Sequence, residues 1–173
     1  NYVGTRLSRF HQLSCREKTG CEILKQVFGM EAENVLDPTL LHGDYSELIG
    51  NQHETETLAY YPLDFDDGLE SAASELAQYL HVQPVNVNQK QCIVGNLVWD
   101  RTTIQEWISG IANSRFVLTR SFHGLAFSLI YKRQFAIVNN SSRSARISDL
   151  LNAVGLQDRL FPDVSSLMES KVW

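Results

Sequence analysis

The sequence predicts an α/β protein: an open parallel sheet with helices on both faces. Two observations carry that expectation. Short runs of β-branched and aromatic residues alternate with segments whose apolar residues recur at helical spacing, and the chain carries no internal repeats. The chain has 173 residues, with 43% hydrophobic and 20% charged side chains, which is ordinary for a folded domain and excludes a disordered or low-complexity chain.

Phe10–Cys15 reads as a short strand. Thr19-Gly-Cys-Glu22 has the spacing of a capping box, and Ile23, Leu24, Val27 and Phe28 recur at helical intervals before Gly29, a C-cap residue. Asp37-Pro-Thr-Leu-Leu41 reads as extended. The polar stretch from His42 to Glu56 reads as a linker, so residues 1–56 are expected to end one unit and residues 57–173 to form another.

Thr57–Leu63 reads as a buried strand, ended by Pro62 and an Asp66-Asp67-Gly68 turn. Leu69, Ala72, Ala73, Leu76, Ala77 and Leu80 make a helical stripe, and Pro84–Val87 reads as a strand. Residues 88–100 fit no pattern. Thr102 to Gln105 again has capping-box spacing, with Ile104, Trp107, Ile108 and Ile111 on one face. Arg115–Thr119 is a strand, Ser121 an N-cap, and the next helix turns Phe122, Ala126, Leu129 and Ile130 inward. Phe135–Val138 is the following strand and Asn139–Ala145 a polar loop. Ile147, Leu150, Leu151 and Val154 mark a last amphipathic helix, stopped by Gly155.

Composition narrows the function. The net charge of −5 argues against non-specific nucleic-acid binding. Three cysteines, Cys15, Cys21 and Cys92, show neither a disulfide framework nor zinc-ligand spacing and fit a reducing compartment. No apolar run approaches the ~20 residues of a membrane helix, no signal-peptide pattern opens the chain, and its start at Asn1 without Met suggests a piece of something longer. Residues 1–80 carry 14 acidic and 5 basic side chains; residues 81–173 carry 6 acidic and 10 basic, seven of them arginine. An arginine-rich half in an acidic protein suggests a small anionic ligand, set against the plainer reading of solvated surface charge.

Three strand-to-helix junctions hold the polar residues that can do chemistry. The first is Ser14-Cys-Arg-Glu-Lys-Thr19, with Arg16 just past a strand. The second is Thr119-Arg-Ser-Phe-His-Gly124, which puts Ser121, Phe122, His123 and Gly124 at a helix start. The third is Asn139-Asn-Ser-Ser-Arg-Ser-Ala-Arg146, holding Asn139, Asn140, Arg143 and Arg146. In a parallel sheet all three open at the carboxyl edge, where ligands bind, and helix N-termini there attract anions. The set reads as a phosphate or carboxylate pocket with one histidine able to move a proton. Each residue also has a plain structural reading. Arg16 can pair with Glu17 or Glu22, His123 can cap or pack, and Gly124 can permit close helix–strand contact. Cys15 can be an activated thiol or inert packing. Arginines at a helix start oppose its dipole, so Arg143 and Arg146 need a reason to be there. His11, His42, His53 and His81 lack metal-ligand spacing and read as surface or turn residues. Trp99, Trp107 and Trp173 read as core or edge residues.

The segments Ser14–Gly20, Asp37–Leu41, Phe116–Ser128, Val138-Asn-Asn140 with Arg143 and Arg146, and Ser148–Arg159, in that order, resemble the polysaccharide pyruvyl transferase family. The resemblance implies a Rossmann-like sheet forming one half of a GT-B fold, the C-terminal, donor-binding half, preceded by the end of the other. It implies transfer of pyruvate from phosphoenolpyruvate to a pair of sugar hydroxyls, as a ketal, in bacterial surface polysaccharide biosynthesis. The acceptor is then a saccharide or lipid-linked saccharide, with no nucleic acid, no metal or other cofactor, a cytoplasmic location, no transmembrane segment, and room for peripheral membrane association. By resemblance Arg16 docks one charged end of the donor. Ser121, Phe122, Gly124, Asn139, Asn140, Arg143 and Arg146 complete the binding set, and His123 is the catalytic acid. Ketal-forming relatives often read Arg-Leu-His where this chain has Ser121-Phe122-His123, so one guanidinium is missing at 121. The alternatives are a GT-B glycosyltransferase using a sugar nucleotide and a non-catalytic relative.

Overall fold

The computed structural model describes residues 2–170, apart from 51–52, 63–66, 89–90, 95–96, 101 and 140–144. In chain order the elements are α1 (Tyr2–Leu7), β1 (Ser14–Cys15), α2 (Lys18–Phe28), β2 (Glu33–Asn34), α3 (Pro38–His42), α4 (Ser46–Ile49), β3 (Thr55–Tyr61) and α5 (Asp67–Leu80). Then come β4 (Gln83–Asn86), β5 (Gln91–Val94), β6 (Leu97–Asp100), α6 (Ile104–Asn113), β7 (Ser114–Thr119) and α7 (Phe122–Ile130). The chain continues through β8 (Gln134–Val138), α8 (Ala145–Val154), a 3-10 turn (Gln157–Arg159), β9 (Leu160–Phe161) and α9 (Val164–Ser170).

Five strands form the main sheet in the order β4-β3-β7-β8-β9, every pair parallel. The sequence pattern explains why it is buried on both sides. Successive strand side chains point to opposite faces, so Leu58, Tyr60, Phe116, Leu118, Ala136 and Val138 meet α5 and α9 on one face. Their neighbours Ala59, Val117, Phe135 and Ile137 meet α6, α7 and α8 on the other. This is the Rossmann-like, doubly wound α/β arrangement that the alternation predicts. The winding reverses between β3 and β7, so the crevice for a ligand opens beyond the carboxyl ends of the central strands.

Several local expectations are corrected. The chain opens with α1, and only Ser14–Cys15 of the Phe10–Cys15 segment is strand, paired with β2. The helix expected to begin with Thr19 as cap starts at Lys18, behind an extended Glu17 that makes no side-chain cap; Gly29 does end it, at φ 67°. Asp37-Pro-Thr-Leu-Leu41 is not extended. Asp37 caps α3, its side chain accepting from the Thr39 N–H, with Pro38 pre-set for the first turn. The expected linker contains α4, and Tyr45 and Ile49 pack onto the core beneath α6 and α7.

The capping box of α6 lies one residue later than expected, on Thr103 and Glu106. Ile104 is therefore the first helical residue and stays 71% exposed, and the buried face begins beyond it. β5 and β6 pair antiparallel, within a stretch where no pattern is read from the sequence. In α7, Gly124 to Ser128 are all buried, a wider apolar surface than the predicted stripe, because α3, α6 and α8 all pack against this helix. Trp107 is half-buried between Tyr61 and Phe127. Part of the Asp66-Asp67-Gly68 turn, Trp173 and the side chain of Trp99 lie outside the described residues.

Candidate functional site

The junction between β7 and α7 is built tightly. Thr119, fully buried, donates its hydroxyl to the Tyr61 carbonyl at 2.9 Å and accepts the Ser121 N–H at 3.0 Å. Ser121, 3% exposed, caps α7 by accepting the His123 N–H at 3.1 Å. Two of the backbone donors that the sequence offers to an anion, those of Ser121 and His123, are thus committed within the turn. Gly124 follows because nothing larger fits: a Cβ there would stand 2.6 Å from the Thr119 Oγ1 and 2.7 Å from its Cγ2. Its plain structural reading is the one the packing displays.

Phe122, the first residue of α7, borders a cleft of about 330 Å³. Arg16 enters it from the β1–α2 junction, and Arg146 from the first turn of α8. The two guanidiniums converge on one carboxylate. Asp37, 4% exposed, takes Arg16 Nη1 on its Oδ2 at 2.7 Å, while Arg146 Nη1 stands 3.9 Å from the same oxygen. Arg146 Nε is bonded to Glu17 at 3.0 Å, and its guanidinium lies 4.6 Å over the Phe122 ring. These contacts are the reason for a cation at the start of a helix: Glu17 and the aromatic face outweigh the opposing dipole. Lys18 and Asp149 also border the cleft, and Asp149 Oδ2 is enclosed with no hydrogen-bond partner among the described residues.

The electrostatics follow from this packing. Burial, the largest influence on Asp37, opposes its ionisation. The Thr39 bonds and Arg16 together outweigh it and hold the carboxyl below its ordinary range. The Cys15 thiol moves the other way. Burial pushes it up, and Cys21 and Glu17 add to the effect, which favours inert packing over an activated thiol.

Of the residues singled out in the sequence, the fold therefore brings Arg16, Phe122 and Arg146 together around one cleft. Ser121 and Gly124 lie buried behind it. His123 is exposed directly after Phe122, its ring 5.6 Å from the phenyl ring, and it is not among the residues bordering the cleft. Asn139 sits just past β8, its amide 3.4 Å from the Arg120 carbonyl. Asn140 and Arg143 lie outside the described residues. Sequence reasoning missed Asp37 and Glu17. The sequence carries a signal for Asp37 as a helix cap, an Asx residue before proline, but none for its pairing with the two arginines.

The charge imbalance along the chain resolves partly within the molecule. Arg115 pairs with Glu56, Arg133 with Glu54 and Arg146 with Glu17, each an arginine of the second half with an acid of the first. Among the described residues no group of three His, Cys, Asp or Glu side chains is arranged to hold a metal ion, and no helix is long and apolar enough to cross a membrane.

Comparison with protein-family models matches residues 2–142 to the polysaccharide pyruvyl transferase family. The chain belongs to that family. Searches of curated proteins and of solved structures found no match to it. Membership in the polysaccharide pyruvyl transferases makes a saccharide acceptor the family's expectation, and it sets the chemistry against which the two-arginine cleft is read.

Proposed function

We propose that the cleft between Arg16 and Arg146 binds phosphoenolpyruvate, and that the protein transfers its pyruvyl group to a pair of hydroxyls on a saccharide. The supporting observation is the convergence of two guanidiniums on one buried carboxylate at the wall of a single cleft. Phosphoenolpyruvate carries a carboxylate and a phosphate on one small frame. Two planar cations, each paired with an acid, suit a ligand with two anionic ends. Arg146 supplies the second guanidinium, so that an arginine at position 121 is not needed for the charge count.

In the proposed reaction a sugar hydroxyl adds to the enol carbon and loses its proton while the neighbouring methylene takes up a proton and becomes a methyl group. His123, exposed beside the cleft residue Phe122 and itself outside the cleft lining, is the proposed proton donor. Phosphate then leaves with the electron pair of its C–O bond, and the second hydroxyl attacks the same carbon, losing its proton as the ketal closes. The proposal places residues 57–173 as the donor-binding half, with residues 1–56 contributing Arg16 and Asp37.

Calorimetric titration with phosphoenolpyruvate and, separately, with UDP tests the donor. Binding of the former without the latter is expected; UDP binding with no response to phosphoenolpyruvate would instead indicate a sugar-nucleotide enzyme. Turnover of His123→Ala tests the acid. A loss of about 10²–10⁴-fold with unchanged donor affinity is expected, and unchanged turnover would remove the imidazole from the mechanism.

A further inference from the structure

We propose that Asp37 is a positioning residue of this site, holding the Arg16 guanidinium in the orientation that productive transfer requires. The inference rests on the donor-binding reading above and goes beyond it to a carboxylate in the wall of the same cleft whose role is exerted through Arg16.

The local structure fixes this carboxylate unusually well. Its Oδ1 accepts the Thr39 N–H at 2.9 Å as the cap of α3, and Pro38 holds the first turn, so the plane of the group is set by backbone. Its Oδ2 is left to face Arg16 at 2.7 Å and Arg146 at 3.9 Å. A carboxylate only 4% exposed is costly to bury without such partners. Arg16 is in the opposite situation. Its side chain is 45% exposed and leaves the chain at a junction between two elements, where a long side chain otherwise has many rotamers open to it. The short bond to Asp37 is its one rigid anchor among the described contacts. Arg146 has further anchors in Glu17 and Phe122.

The consequence separates binding from turnover. Removing the negative charge of Asp37 leaves both guanidiniums and makes the cleft more positive, so a simple anion is held at least as well. The same change frees Arg16, and a misplacement of about 1 Å in a docking group can cost ~10²-fold in rate.

Asp37→Asn is the test, since its amide oxygen still accepts from Thr39 and the cap survives. Three readouts apply: the dissociation constant for inorganic phosphate, kcat and KM for phosphoenolpyruvate, and rotation of the Arg16 guanidinium followed by arginine side-chain NMR. The expected result is unchanged or tighter phosphate binding, kcat reduced about tenfold or more, and faster rotation of Arg16. Unaltered kcat with unaltered rotation would overturn the proposal. So would a parallel fall of phosphate affinity, kcat and melting temperature, which would mark Asp37 as structural support alone. If the unsubstituted protein binds phosphate but does not turn over phosphoenolpyruvate, the donor reading fails by itself. Arg16 rotation and phosphate affinity in Asp37→Asn then decide the positioning role.

Discussion

The guanidinium of Arg146 lies over the ring of Phe122, 4.6 Å from its centroid, and so ties the first turn of α8 to the first turn of α7. The two residues belong to different junctions of the chain, and both border the cleft that Arg16 also borders.

Phe122→Ala removes the surface on which that guanidinium rests. A contact of this kind at a partly exposed site is worth about 0.5–1 kcal/mol, so donor affinity should fall about two- to fivefold. Calorimetry on the variant checks this; affinity equal to that of the parent protein would mean that Glu17 alone sets the position of Arg146.

Gly124→Ala should destabilise the fold by about 1–3 kcal/mol, the usual cost of forcing atoms into a packed interior. The added methyl meets Thr119, whose hydroxyl is held by Tyr61 and Ser121 and has no free direction in which to turn. The denaturation midpoint is the measurement, and a variant as stable as its parent would show that α7 can slide away from β7.

How legible this was in the sequence depends on the scale of the question. The sheet could be read because β3, β7 and β8 are each apolar on both faces, a strong signal for strands covered by helices. Arg16 and Arg146 could be named because unusual polar residues at strand-to-helix junctions stand out. Their common partner could not, because a single aspartate 21 residues after Arg16 carries no periodic signal, and only tertiary packing brings α3 under both cations. The one-residue error in the cap of α6 has a similar origin: Thr102 and Thr103 are equivalent in type, and Thr102 is drawn away to donate to the Val87 carbonyl at 2.8 Å.

Asp37 also gives the fold a pH dependence with a definite sign. Its carboxyl is held below its ordinary value of 3.8 in the folded state. Its contribution to stability is therefore complete above about 4, the unfolded value, and is lost as pH falls from there through the lower folded value. Asp37→Asn should flatten that part of the acid unfolding curve. Identical acid profiles for the two proteins would show that the carboxylate adds no proton-linked stability.

Cys15 should alkylate more slowly with iodoacetamide at pH 8 than a cysteine in an unstructured peptide, because burial and its neighbours reduce the thiolate fraction. Mass spectrometry of timed samples reports the rate at this position, and faster labelling than the peptide would contradict the raised thiol.

The account stands most directly on donor affinity in Arg16→Ala and Arg146→Ala, each titrated with phosphoenolpyruvate beside the unsubstituted protein. Each variant is expected to bind about tenfold or more weakly, since each loses a charge-assisted contact worth about 1.5–3 kcal/mol. Affinity unchanged in both would show that the anion is held elsewhere and would contradict the two-guanidinium site.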